Sequence, residues 1–445
     1  MYRLDQARRK WNPMGCQRWK TYAMALVIAA AAAGCGGGAD GPGKAEKVVF
    51  SEEGFTEWGW PGPYKKISDE SIQWLKDKKM WPLKIAYQSP WSGQNNVPLV
   101  EQQEGLLAHR GLEAEWTAFK SGPEIIEAFL AGQAQVGSGG NFPFTSLLDK
   151  KAPVTCVAAQ SPNLLHATLV RNDSQFERLE DLRGSGATVG VVVGSSGEFY
   201  LRAAMEDLGL KEGQDLKLLN MTPPELQTLP KGVDAVVIWD PTVTFMEEHI
   251  KNARVIDSIY PYNMYMGCYY VHSEIVEKAP DVAQALVDGY VEAVLWGRAN
   301  PDDVVADMLT DVNLAQVPKE LLKDQVVKYN NLYQPTFPYP FKEFWAKENV
   351  RIAEFLAETD VLSNPVTEET WESAIDDSFM RNTFNRLGWA VPETPPWIPE
   401  GWTGEVGKAP YPEYASEENL DEPQPWPVDG ALTKRWEFQG EVFEP

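Results

Sequence analysis

From Leu83 onward the chain alternates short β-rich runs with helical patterns, and this alternation leaves few folds open to it. "LKIAYQ" (83–88) predicts a strand and "NVPLVEQQEGLLAHRG" (96–111) a helix that stops at Gly111. "LEAEWTAF" (112–119) alternates apolar and polar side chains, as a half-buried strand does. "GPEIIEAFLAG" (122–132) reads as a helix, "AQVGSGG" (134–140) as a strand, "NFPFTSLLD" (141–149) as a helix and "PVTCVAAQ" (153–160) as a strand. A second cycle follows: a short helix at "LEDLRGS" (179–185), strand "ATVGVVVG" (187–194), helix "GEFYLRAAMEDLGL" (197–210), strand "LKLLN" (216–220), helix "PPELQTL" (223–229) and strand "VDAVVIWD" (233–240). "GCYYVHS" (267–273) is a further strand. Such an order implies mostly parallel sheets with helices on both faces. From Glu274 to about Leu387 the pattern is almost wholly helical, and from Trp389 proline, tryptophan and glycine dominate, as in "WAVPETPPWIPEGWTG" (389–404). That tail can form turns and extended segments but hardly a core of its own.

Two similar α/β halves, joined by β-like crossovers near "ATLVRND" (167–173) and "MGCYYVH" (266–272), predict two lobes around a cleft. In open α/β sheets ligands sit outside the carboxyl ends of the strands, so the loops there are the candidate site. In "KSGPEIIE" (120–127) Ser121 reads as an N-cap, Pro123 sits early in the helix and Glu124 completes a capping box. "GSGGNFPF" (137–144) and "VGSSGEFY" (193–200) pack small residues where a backbone must approach something closely. Helix starts bind anions through free N–H groups and the helix dipole. Each loop alone is equally consistent with simple capping: Glu198 as the acid of a box with Ser195, and Asp240 as the cap of the helix after Pro241. Trp91, Phe142, Phe199, Tyr200 and Tyr262 read either as an aromatic wall for a ligand or as core.

The amino terminus says where the protein works. A basic head (Arg3, Arg8, Arg9, Lys10, Arg18, Lys20) precedes an apolar run from Tyr22 to Ala33, too short for the roughly 20 residues that span a bilayer. With Ala32, Ala33 and Gly34 before Cys35, the segment resembles a bacterial lipoprotein signal, although Ala32 stands where leucine is usual. The resemblance implies lipidation of Cys35, a flexible tether in "GGGADGPGKAEK" (36–47), and a body outside the cytoplasm, in the periplasm or on the cell surface, held to a membrane. The alternative is an ordinary signal cut nearby.

The whole chain carries 40 basic and 64 acidic residues, a net charge of −24. Without residues 1–34, which hold six basic and one acidic residue, it is −29. This argues against nucleic acid as a partner. Cys156 and Cys268 lie in apolar, strand-like runs and read as buried free thiols. With no Cys/His cluster and only four histidines, no metal site or cofactor is expected.

From about Leu83 to Trp296 the chain resembles the periplasmic solute-binding proteins of ABC importers for aliphatic sulfonates, taurine and nitrate. The resemblance is carried by "KIAYQ", "WTAFKSGPEIIEAFLAGQAQVGSGGNFP", "DLRGSGATVGVVVGSSGEFYLRAAMEDLGL" and "GVDAVVIWDP". It implies two Rossmann-like lobes, the type II periplasmic binding protein fold, closing about a hinge, here with a helical region and an extended Pro/Trp-rich tail added. The expected divisions are 1–34 signal peptide, 35–82 tether and N-terminal extension, 83–170 first part of lobe 1, 171–268 lobe 2, 269–362 return to lobe 1 with helices, and 363–445 C-terminal extension. Carried over to this sequence, the pocket comprises Gln88 and Ser89, Ser121 and Gly122, Gly139, Gly140 and Asn141 from one lobe, and Ser195, Ser196, Trp239 and Asp240 from the other. Glu198 departs from the family, which often has histidine or asparagine there; an inward carboxylate would repel an anion. The implied partners are a small-molecule ligand and an ABC permease with its ATPase, served by a monomer. An enzyme of the same superfamily, desulfinase-like or pyrimidine-synthase-like, is the alternative. It is disfavoured because the loop "YQSPWSGQ" (87–94) has no cysteine, and Ser89 and Ser92 have no histidine nearby in sequence to activate them. A ligand-sensing docking protein is a third reading.

Overall fold

The computed structural model describes residues 54–56, 58–90, 96–160, 164–259, 262, 265–329, 340–358, 361–391, 432–438 and 441–445, all within the compact unit Ala45–Pro445. The signal segment, Cys35, Trp91 and most of the tether and tail lie outside the described residues. After helix α1 (Asp69–Asp77) the first cycle runs β1 (Leu83–Gln88), α2 (Asn96–Gln103), β2 (Ala114–Phe119), α3 (Gly122–Leu130), β3 (Val136–Gly140), α4 (Asn141–Asp149) and β4 (Val154–Gln160). The second runs β5 (His166–Arg171), β6 (Ala187–Val191), α5 (Ser196–Asp207), β7 (Leu216–Asn220), α6 (Pro223–Gln227), β8 (Ala235–Trp239), α7 (Thr242–Thr244) and β9 (Ala253–Ser258). The helix expected over 96–111 is shorter: α2 ends at Gln103, Gly105 takes a left-handed φ of 61°, and a separate 3-10 turn spans Ala108–Arg110. Glycine loses most on being held helical, so the break falls there.

Two five-stranded sheets result. With β10 (Gly267–His272) the first has the order β2-β1-β3-β10-β4, and the second is β7-β6-β8-β5-β9. Each holds one antiparallel strand in its fourth place, β10 in the first and β5 in the second. These are the strands that directly follow β9 and β4, so the chain changes sheet at the same topological point in each direction. Covered on both faces, β8 ("AVVIW") is buried along its whole length, whereas the edge strand β2 alternates. Cys156 and Cys268, on the adjacent strands β4 and β10, are buried free thiols as expected.

Among the described residues seven helices follow: α8 (Ser273–Lys278), α9 (Pro280–Ala299), α10 (Pro301–Met308), α11 (Lys319–Tyr329), α12 (Lys342–Glu358), α13 (Glu368–Ala374) and α14 (Ser378–Leu387). A short hairpin, β11 (Trp436–Phe438) and β12 (Glu441–Phe443), ends the chain. Trp371, Phe379, Phe384, Trp389 and Trp436 belong to the first core, so the described part of the C-terminal extension shares that core and builds none of its own. Helix α12 reaches further, with Trp345 and Ala346 in the first core and Ile352 and Leu356 in the second.

The segment before α1 is fixed by a buried ion pair. Arg110 meets Glu292 of α9 at 2.6 Å, both side chains almost fully shielded from solvent. Trp58 Nε1 and Tyr64 Oη donate to the same carboxylate at 2.8 and 2.5 Å. The guanidinium lies 5.0 Å from the Trp60 ring and 4.8 Å from that of Tyr64. Glu101 of α2 is buried beside the pair, and burial pushes its carboxyl well above the usual range against the pull of Arg110. Arg110→Met should therefore leave Glu292 buried and unpaired, and lower the urea-unfolding free energy by about 3–5 kcal/mol; a loss under about 1 kcal/mol would mean that the pair does not fix this segment.

Against the second sheet, Tyr200 Oη of α5 donates to Asp257 at 3.0 Å and lies 2.9 Å from Thr168 Oγ1. Burial raises the Asp257 carboxyl to about 7, against the opposing pull of the Tyr200 hydrogen bond. A raised carboxyl favours the fold only while protonated. Its contribution is complete below the unfolded-state value near 4 and is lost as pH rises through about 7. Asp257→Asn, which keeps an acceptor for Tyr200, should then raise Tm relative to the parent at pH 8 and leave it little changed at pH 4. Equal differences at the two pH values would exclude this titration.

Candidate functional site

Loops from the carboxyl ends of both sheets meet, and the polar atoms there are mostly engaged with one another. Gln88 ends β1 and is buried; Ser89, the next residue, is fully buried and its Oγ has no hydrogen-bond partner. Three strands away, Gln160 ends β4 in register with Gly267, which is in register with Gly140 on its other side. Gln160 is buried, and its Oε1 also lacks a partner. A methyl group built on Gly139, itself buried, would meet no heavy atom within 4 Å, so there is room at this end of β3. Gly122 is packed instead: a Cβ there would stand 2.7 Å from the Pro143 ring.

Ser121 is the N-cap of α3, but the expected capping box is absent. Its hydroxyl makes no capping bond, and Glu124 Oε2 accepts from the Lys120 backbone N–H at 2.8 Å. The carboxylate closes the turn one residue earlier than the box would, which leaves the buried Ser121 hydroxyl out of its own helix cap. In the second sheet Ser195 caps α5 by accepting from the Glu198 N–H at 3.3 Å and donates to Val192 O at 2.7 Å. Glu198 turns away from a ligand role. One oxygen accepts from the Gly194 N–H at 2.7 Å and the other from Arg202 Nε at 2.8 Å. Asp240 behaves as a helix cap, accepting from the Thr244 N–H at 3.0 Å and its hydroxyl at 2.8 Å.

The two sets of loops touch. Trp239 Nε1 donates to the Pro90 carbonyl at 3.4 Å, and Ser196 Oγ to Asn141 Oδ1 at 3.4 Å. A Cβ on Gly140 would stand 2.3 Å from Ser196 Oγ, so glycine is what allows this approach. A Cβ on Gly194 would lie 3.3 Å from Pro123. Asn141 is the node. Its backbone N–H donates to Met266 O at 2.9 Å, and its Nδ2 donates to Asn349 Oδ1 of α12 at 2.9 Å.

Several residues of this region escaped the sequence reading. Gln160 was legible, because the rule that directed attention to the ends of β1 and β3 applies equally to the end of β4. His166, Tyr265, Asn349 and Arg351 carry no local signal; Asn349 is 208 residues from its partner Asn141. Burial lowers His166 to about 4, so its ring is neutral, 4.9 Å from the Tyr265 ring and 6.0 Å from that of Trp239. Phe142, Phe199, Tyr200 and Tyr262 belong to the second core, which decides for core against an aromatic wall. Arg351 donates to the Tyr262 carbonyl, with its guanidinium 6.0 Å from the Phe199 ring. A cavity of about 20 Å³ lined by Cys156, Met266 and Trp345 lies within the first core; it has room for about one water and is not a solute site.

Residues 96–304 match the family model described as "NMT1/THI5 like". The taurine-binding periplasmic protein of Escherichia coli (strain K12) is 25% identical over 224 residues, 49% of this chain and 67% of that protein. The alkanesulfonate-binding protein SsuA from Xanthomonas axonopodis pv. citri, solved bound to MOPS, superposes with a TM-score of 0.57 at 19% identity, over 66% of this chain and 97% of its own. The periplasmic nitrate-binding protein NrtA from Synechocystis PCC 6803 gives 0.56 at 12% identity, over 81% of this chain and 95% of its own. Two mixed sheets, each with its antiparallel strand in fourth place and their strand ends facing each other, are thus the fold of periplasmic solute-binding proteins, and over residues 96–304 the chain is similar to the NMT1/THI5-like family.

Proposed function

We propose that this protein captures a small anionic organic solute of the sulfonate, taurine or nitrate kind between its two lobes and delivers it to an ABC permease with its ATPase. The observation that carries the reading is the set of spare polar groups at the carboxyl end of the first sheet. Ser89 Oγ and Gln160 Oε1 are buried without partners, and the Ser121 hydroxyl is left out of its helix cap. They lie at the same end of the sheet as the free space at Gly139, where Ser196 of the α5 loop reaches Asn141. A buried hydroxyl without a partner costs free energy, and a solute that accepts from it recovers that cost. With His166 neutral and Arg202 bound by Glu198, the anion is held by hydroxyls and helix N–H groups rather than by a lysine.

The pocket set in this reading is Gln88, Ser89, Ser121, Gly122, Gly139, Gly140 and Asn141 of lobe 1, with Ser195, Ser196, Trp239 and Asp240 of lobe 2. The lobes correspond to 83–170 with the return at 269–362, and to 171–268. Solute exchange requires the contacts at Ser196 and Trp239 to open, and the closed form is the one that a permease recognises. The protein acts as a monomer outside the cytoplasm, held to a membrane by lipid on Cys35. Binding, not catalysis, is favoured because the loop after β1 offers Ser89, buried and with no base bonded to it, where a nucleophile would need one.

Two experiments test this. In a thermal-shift screen of sulfonates, taurine and nitrate, the true solute at about a hundred times its Kd should stabilise the parent by about 2.7 kcal/mol. Small-angle scattering should show compaction with that solute, and Ser121→Trp should abolish both responses, with its circular dichroism spectrum checked to show that it is still folded. Full binding by Ser121→Trp would move the site elsewhere. For the anchor, Cys35→Ala should shift the protein from the membrane to the soluble fraction; a variant retained in membranes after a high-salt wash would exclude lipidation.

A further inference from the structure

The edge of the first sheet opposite the cleft carries a basic, tryptophan-bearing rim on a chain whose net charge is −24. Lys76, Lys78 and Lys79 are exposed at the end of α1, and Lys84 is exposed on β1. Lys150 and Lys151 are exposed in the turn between α4 and β4. The two groups share one edge. β1 and β4 run the same way, with β3 and β10 between them, so their starts are three strand spacings apart, about 14 Å. Half-buried Trp74 and Trp81 lie among the lysines: Lys78 Nζ is 5.7 Å from the Trp74 ring and Lys76 Nζ 5.6 Å from the Trp81 ring. Lys79 and Lys151 each follow a helix in the left-handed conformation, with φ of 59° and 53°. Glycine adopts that conformation without strain, as Gly111 and Gly388 do after their helices. Opposing charges also line this edge: Glu115 is exposed in register with Lys84 and Glu277 is exposed on α8, while the others nearest the lysines are occupied. Asp77 accepts from Gln73, Glu274 pairs with Lys78 at 3.1 Å, and Asp149 is buried, accepting from the N–H groups of Ser363 and Asn364. Glu113 flanks the rim at the start of β2.

We propose that this rim is a membrane-contact face that docks lobe 1 onto an anionic phospholipid surface. Lysines supply the attraction to headgroups, and amphipathic tryptophans suit the boundary between water and lipid. At physiological salt, fields fade over about 8 Å, so the rim decides the interaction despite the acidic remainder of the protein. The face lies away from the loops of the solute site, and it does not depend on lipid at Cys35.

The test uses residues 45–445, the compact unit, which leaves out the apolar run Tyr22–Ala33 and Cys35. Sedimentation with vesicles of phosphatidylcholine alone should show little binding, and addition of phosphatidylglycerol should produce binding that high salt reverses. The triple change Lys76→Glu, Lys79→Glu and Lys151→Glu should weaken it by at least about tenfold, given roughly 1 kcal/mol per lysine near an anionic surface, with Tm unchanged. If that protein is unstable, Lys84→Gln with Lys150→Gln should give a smaller loss in the same direction. Equal binding to both vesicle types, no binding to either, or full binding by the charge-reversed protein would overturn the proposal. So would retention on heparin without vesicle binding, which would point to an anionic macromolecule of another class.

Discussion

Helix α12 is packed into both hydrophobic cores at once, and the relation between the two sheets depends on it. Trp345, Asn349, Ile352 and Leu356 fall at spacings of four, three and four, one stripe along one face of the helix. The stripe begins in the first core at Trp345 and ends in the second at Leu356. At 1.5 Å per residue this covers about 16 Å, enough to bridge the gap between two sheets. At its middle Asn349 donates to the Trp345 carbonyl at 2.8 Å and accepts from Asn141 at 2.9 Å. The lobes are therefore joined by more than their crossover strands. A motion that parts them must either pivot near Asn141 or carry α12 with one lobe and strip Ile352 and Leu356, or Trp345, from the other.

The same contact explains the polar economy of the cleft. Asn141 is bonded to Asn349 and approached by Ser196, Glu198 is held by Gly194 and Arg202, and Asp240 is held by Thr244. These groups keep the loops in place. Ser89, Ser121 and Gln160 are not consumed in this way. The division follows from geometry: a carboxylate with two short bonds to its own turn has little capacity left for a solute, whereas a buried hydroxyl without a partner is a standing cost that a bound group removes.

Much of this was legible in the chain because the signals are local. Strand β7 lies at 216–220 as its composition predicts, and β3 and β8 fall within the runs that predict them. Their lengths, β-branched content and bounding glycines act over a few residues. The same locality fails at Ser121. A serine three before a glutamate reads as a capping box, but the glutamate satisfied the Lys120 N–H instead. Either bond caps the turn, and the difference between them is set by packing around the loop. At Glu198 the charge suggests repulsion of an anion, yet Arg202 one helical turn later neutralises it. That i,i+4 pair was present in the sequence and could have been read.

The sequence by itself determined the alternation of strands and helices, the small-residue turns at their ends and the acidic balance of the chain, since each is a property of neighbouring residues. The tertiary structure alone decided that β10 and β5 take the fourth place in their sheets, that α12 lies across both cores, and that Asn349 meets Asn141 across 208 positions. It alone decided which of the cleft's polar groups are spent on the fold and which remain. The physical reason is that a hydrogen bond or a buried apolar contact is fixed by which surfaces the whole chain brings together, and no window of sequence contains both of its halves.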